Sequence, residues 1–130
     1  MLLPVTLCTA AAAAILTIWM MARTGKLRGQ TKVMHGDGGD PALIRRMRAQ
    51  LNFVESAPFV LFLIAMIEIS GKGGQWLAFV AAVYILGRVA HTMGMDAETV
   101  SKPRMVGVMV TMLTLLGLSI VAVLIAARVM

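Results

Sequence analysis

Four long apolar stretches, separated by short polar connections, make up nearly the whole of this 130-residue chain. The first, Leu2 to Ala22, holds no charged residue. About 20 apolar residues suffice for a helix to cross the hydrocarbon of a bilayer. The stretch lacks the basic leader and short apolar core of a cleaved signal peptide, so a retained span is expected. Its run Ala10 to Ala14 leaves a smooth surface on which another helix can approach closely. Asp40-Pro41 predicts the start of a second helix, with Asp as N-cap and Pro in the first turn; its apolar character lasts to Ser70. Trp76 opens a third stretch, which ends near Met95, and an aromatic there suits the membrane interface. Ser101 and Pro103 mark the start of the fourth, in which Arg104 precedes the apolar run Met105 to Ala127. The pattern predicts one all-α membrane domain over residues 1–130, with spans near 2–22, 41–70, 76–95 and 104–127.

Charge interrupts this pattern in few places. Ionisable side chains near or within hydrocarbon persist where they have a partner or a function. Arg48, Asn52 and Glu55 fall at i, i+4 and i+7, which puts a cation, an amide and a carboxylate in one stripe of the second helix. Just beyond them, Pro58 frees the Val54 carbonyl and bends the helix. On the third helix Tyr84, Arg88, His91 and Met95 share a face beside the small residues Gly87, Ala90 and Gly94. Glu68 lies opposite the stripe near a tight turn and is expected to be a solvated end residue.

The connections differ in charge. Arg23 to Asp40 reads as a loop holding Arg23, Lys26, Arg28 and Lys32, followed by His35-Gly36-Asp37-Gly38-Gly39-Asp40. The glycines permit positive φ, and the aspartates are expected to cap backbone amides rather than hold a metal. A phosphate loop would need a Lys-Ser/Thr pair after a strand, and neither is present. The turn Ser70 to Gln75 carries only Lys72, whereas the third connection carries Lys102 and Arg104. Basic connections face the cytoplasm, so both chain termini are expected on the other side. Three polar clusters then converge at one membrane face: Arg23 to Arg28, Arg45 to Glu55, and Arg88 to Arg104.

Composition narrows the chemistry. At 59% hydrophobic residues and a mean hydropathy of +0.86, the chain is too apolar for a soluble domain of this size. A net charge of +6 would suggest nucleic acid on a soluble protein. Here the cations flank spans, where orientation and anionic headgroups account for them, and Arg45 and Arg46 read as headgroup anchors. The single cysteine, Cys8, excludes a disulfide within the chain and suits packing rather than nucleophilic work. Arginines hold carboxylates through two parallel hydrogen bonds, Glu55 suits an ammonium, and Asn52 and Gln50 suit amides. Glutathione combines these groups with a thiol, whose thiolate a nearby arginine would stabilise. A purely structural ion pair of Arg48 with Glu55 is the competing reading of the same residues.

The segment Arg48-Ala49-Gln50-Leu51-Asn52-Phe53-Val54-Glu55 closely resembles the R-A-x-x-N-x-x-E signature of the MAPEG family, the membrane-associated proteins of eicosanoid and glutathione metabolism. The Gly36-Asp37-Gly38-Gly39 loop, the Gly87-Arg88…His91…Gly94 segment and Arg104…Gly107 are similar to its bacterial branch. The resemblance implies a left-handed up-down bundle of four helices, assembled as a homotrimer in a bacterial inner membrane. It implies glutathione as co-substrate, without a metal or nucleic acid, bound between neighbouring subunits near the cytoplasmic face. Arg48, Gln50, Asn52 and Glu55 match positions that hold glutathione, Arg23 is similar to an arginine at the end of the first span, and His91 is a further candidate. Arg104 resembles the arginine credited with activating the thiol, although Lys102 competes for that alignment. The implied activity is that of a glutathione-dependent transferase or peroxidase for lipophilic electrophiles. Family enzymes often carry tyrosines where this chain has Ser56, His91 and Met95, which keeps a non-catalytic lipid- or ligand-binding relative as an alternative. A small cation exporter of four short spans is a further alternative, against which the uncharged first span argues.

Overall fold

The computed structural model describes residues 1–130. It is built from four helices: α1 (Pro4–Thr31), α2 (Pro41–Ile69), α3 (Gln75–Gly94) and α4 (Lys102–Ala126). Each is long and apolar enough to cross a membrane, and the chain is an integral membrane protein. Short connections reverse its direction three times to give an up-down bundle. α1 packs on α2 and α3, α4 packs on α3 and α2, and α1 does not touch α4.

Local chemistry sets two of the four helix starts. The Asp40 side chain accepts from Leu43 N at 2.9 Å, and the Ser101 side chain accepts from Arg104 N, with Pro41 and Pro103 in the first turns. Each cap satisfies a backbone donor that the helix itself leaves unpaired. The glycine-rich connection is held in the same way: Asp37 accepts from Gly39 N at 2.8 Å, with positive φ at Gly36, Gly38 and Gly39.

The basic stretch after the first span departs from its expected loop. α1 does not stop at the apolar boundary near Ala22 but continues through Arg23 to Thr31. Gly25 and Gly29 give this stretch a mixed helix propensity, but no proline interrupts it, and Arg23 and Thr24 are tied to Asp96, Arg46 and Gln50, so loss of hydropathy there marks the membrane edge and not the helix end. The helix ends where Lys32 turns left-handed, at φ 56°. Arg28 then donates to the carbonyls of Val33 and Gly36, at 3.2 and 2.7 Å, and ties down the connection to α2.

Glu68 is also not a free solvated end residue. α1 has no side-chain cap of its own, since Leu3 stands at that position. The antiparallel arrangement brings the end of α2 alongside it, and the Glu68 carboxylate accepts from Val5 N and Thr6 N, both at 2.9 Å, and from Thr6 Oγ1 at 2.7 Å. A carboxylate at the positive end of a helix dipole is favourably placed.

Apolar packing divides along the bundle. Val60, Ile64 and Ile67 of α2 meet Leu77, Ala81 and Tyr84 of α3 and Leu118 of α4 toward one end. Ala13, Leu16 and Met20 of α1 meet Phe53 and Ala57 of α2 nearer the basic end. Only 26 of 130 residues are buried, and large side chains such as Phe59, Phe62, Phe79 and Leu113 point outward, an arrangement stable only with lipid as solvent. Cys8 is among the exposed residues and not part of the internal packing.

Helices in lipid associate by close contact, and glycine permits the closest. A Cβ at Gly107 would stand 2.4 Å from His91 Cβ and 2.6 Å from Gly87 O, while one at Gly87 would stand 2.7 Å from Val110 Cγ1. α3 and α4 therefore run backbone to backbone toward the basic end, where their polar residues gather.

The carboxylate tie between α2 and α1 has a measurable weight. Glu68→Ala is expected to lower the thermal unfolding midpoint of the detergent-solubilised protein by about 2–5 °C, with Glu68→Gln less affected because an amide oxygen still accepts.

Candidate functional site

At the basic end, α2, α3 and α4 surround a cavity of about 160 Å³ lined by Arg48, Asn52, Glu55, His91 and Arg104. Helical spacing on α2 puts Arg48, Asn52 and Glu55 on one stripe, which flanks the buried Ala49, Phe53 and Ser56; Asn52 is half-buried, and Arg48 and Glu55 are exposed at the mouth. The Ser101 cap starts α4 so that Arg104, in its first turn, closes the opposite wall. A deeper cavity of about 280 Å³ adjoins it, sharing Asn52 and Glu55 and adding Ser56, Arg88 and Thr111 on its polar side.

The groups around the mouth are uncommitted. The ion pairs of the chain are those of Arg23 and Arg46 with Asp96. Arg48 and Glu55 do not pair with each other, and the side chains of Arg48, Asn52, Glu55 and Arg104 form no hydrogen bond within the chain. Two guanidinium groups, an amide and a carboxylate thus face one space with their hydrogen-bonding capacity intact. That donor and acceptor set fits a small zwitterion with carboxylates, amides and an ammonium.

Beneath the mouth the polar groups are tightly held. Arg88 is fully buried, with Nη1 donating to Thr111 Oγ1 at 3.0 Å and the guanidinium lying 5.8 Å from the centre of the Phe53 ring. Its Nη2 lies 3.3 Å from His91 Nδ1. A guanidinium only donates, so His91 accepts through Nδ1 and carries its proton on Nε2. Thr111 Oγ1 in turn donates to Gly107 O at 2.8 Å. Arg88 Nε has no partner. Tyr84 is buried as well, its hydroxyl 2.9 Å from Ser56 Oγ and outside the mouth.

The remaining candidates lie elsewhere. Gln50 accepts from Thr24 Oγ1 and lines a separate open groove with Arg28 and Met47 between α1 and α2. Arg23 pairs with Asp96, stacks 5.0 Å from the centre of the Trp19 ring and offers its carbonyl to Arg46 Nη1 at 2.7 Å. Arg46 therefore turns to α1 rather than serving only as a headgroup anchor, because the continued α1 helix presents that carbonyl beside it. Lys102 is exposed at the start of α4, while Arg104 lines the cavity. No three His, Cys, Asp or Glu residues come together.

Sequence spacing alone did not assign Arg88 and Thr111 to the site. For Arg88 the signal was present, since an arginine within a span stands one turn before His91 on the same face. For Thr111 there was none, because a threonine in an apolar helix commonly bonds its own backbone.

The chain matches the model of the MAPEG family over residues 6–124. None of the curated proteins compared matches it.

Thr111→Val removes the acceptor of a buried guanidinium and is expected to destabilise the bundle by about 1–3 kcal/mol, whereas Thr111→Ser keeps the bond. Denaturant unfolding in mixed micelles measures the difference.

Proposed function

The chain belongs to the MAPEG family, and we propose that it is a glutathione-dependent membrane transferase or peroxidase acting on lipophilic electrophiles. Members of this family are mostly enzymes of that kind. The observation that carries the reading is the cavity walled by Arg48, Asn52, Glu55 and Arg104, whose polar groups are all unpaired.

In this reading Arg48 takes a glutathione carboxylate, Glu55 the ammonium and Asn52 an amide. Arg104 stands by the thiol and stabilises the thiolate. The thiolate sulfur attacks the electrophile, forming the new bond to sulfur as the leaving group departs with its electron pair. The lipophilic partner enters from the bilayer by way of the deeper cavity, whose apolar wall is formed by α4 residues such as Met112 and Leu115. His91, bonded to Arg88, orients the wall of the site and does not serve as a base through Nδ1. Assembly as a homotrimer places glutathione between neighbouring subunits, so the groove of Gln50 lies on the neighbour's side of the ligand and Arg23 supports that edge. The basic end faces the cytoplasm of a bacterial inner membrane, with both termini opposite.

A second reading, a binder without turnover, is favoured by one observation. Ser56, His91 and Met95 stand where family enzymes often carry tyrosine, and the hydroxyl of Tyr84 is engaged with Ser56.

Arg48→Ala and Glu55→Ala are each expected to weaken glutathione binding at least about tenfold, measured by calorimetry on the detergent-solubilised protein. Unchanged binding in both variants would refute the assignment. Conjugation assays with a lipophilic aryl halide or hydroperoxide separate the two readings, since a pure binder gains thermal stability from glutathione without turnover.

A further inference from the structure

Arg104 combines a free guanidinium with a constrained backbone. The side chain faces the cavity and has no partner in the chain. The backbone is pressed against the end of α3. A Cβ built on Gly94 would stand 2.3 Å from Arg104 N, 2.8 Å from Arg104 Cα and 2.8 Å from Ser101 Oγ. The φ of Gly94 lies outside the left-handed region, so this glycine supplies space and not backbone freedom.

Two further ties hold the same segment. Ser101 Oγ donates to Gly94 O at 2.9 Å and accepts from Arg104 N at 3.5 Å, joining the end of α3 to the start of α4. Asp96, in the connection between them, is held by Arg23 of α1 and by Arg46 of α2, the latter at 3.9 Å. All four helices thereby fix the first turn of α4.

We propose that Gly94 and Ser101 are positioning residues for Arg104, the empty space at residue 94 setting where its guanidinium meets the thiol. This rests on the glutathione reading above. A methyl group at residue 94 forces the Arg104 backbone away by about 1 Å to restore ordinary contact. Charge stabilisation at a reacting atom depends on placement fixed in advance, and an error of about 1 Å can cost on the order of 100-fold in rate.

The test uses the full chain in detergent micelles with glutathione and a lipophilic aryl halide. Gly94→Ala is expected to lower kcat about 10- to 100-fold while KM for glutathione changes less than about threefold. The ultraviolet thiolate signal of bound glutathione is expected to titrate at higher pH. Ser101→Ala moves the same readouts in the same direction by less, and Ser101→Thr, which keeps the hydroxyl, restores them. Gly117→Ala, where a Cβ meets nothing within 4 Å, leaves all of them unchanged.

A folded Gly94→Ala protein with the wild-type kcat and thiolate titration overturns the proposal. So does one whose unfolding temperature falls without a shift in that titration. Should Gly94→Ala fail to fold, the Ser101→Ala and Ser101→Thr pair decides by the same readouts. Wild-type protein that binds no glutathione overturns both this inference and the reading beneath it. A wild-type thiolate that is lost in Arg104→Ala, yet unaffected by changes at residues 94 and 101, overturns this inference alone.

Discussion

A guanidinium sealed inside the bundle is the most demanding group in this protein. Arg88 is out of contact with solvent and has no carboxylate within ion-pairing distance. A buried charge is tolerated only where the surroundings supply dipoles and a polarisable face. Here α2 supplies the Phe53 ring, α3 the imidazole of His91 and α4 the hydroxyl of Thr111. Three helices must therefore stay in one register. The glycines at 87 and 107 meet that demand, because they let α4 approach closely enough for Thr111 to reach across.

That floor divides the charged residues of the basic end into two kinds. Arg23 and Arg46 share the Asp96 carboxylate at the rim and join α1 and α2 to the connection between α3 and α4. Arg48, Glu55 and Arg104 stand over the floor with no such partners. The rim holds the helices together, and the cavity keeps its charged groups unpaired.

What the sequence made legible was mainly local. Asp40-Pro41 and Ser101-x-Pro103 specify helix starts through short-range hydrogen bonds, and four apolar lengths specify four crossings. That Arg48, Asn52 and Glu55 share one stripe follows from the 3.6-residue period alone, whereas its place at the edge of the buried face of Ala49, Phe53 and Ser56 does not. The same period places Gln50 about 200° from Arg48, so one helix cannot turn both toward one cavity. The rest depended on contacts between distant residues. Nothing near Glu68 announces that it serves residues 5 and 6, and nothing near Arg23 announces Asp96. The end of α1 was hidden for a related reason, since hydropathy records where lipid stops, while ties from Arg23 and Thr24 to other elements accompany the helix beyond that edge.

The bond from Glu68 to the start of α1 bears on how the protein is made. Translation delivers Val5 and Thr6 to the bilayer long before residue 68 leaves the ribosome. During that interval the helix offers these two amides no partner of its own. Only when α2 has been threaded through can the Glu68 carboxylate accept from them. The first two helices are thus latched to each other only once the far end of α2 has been made.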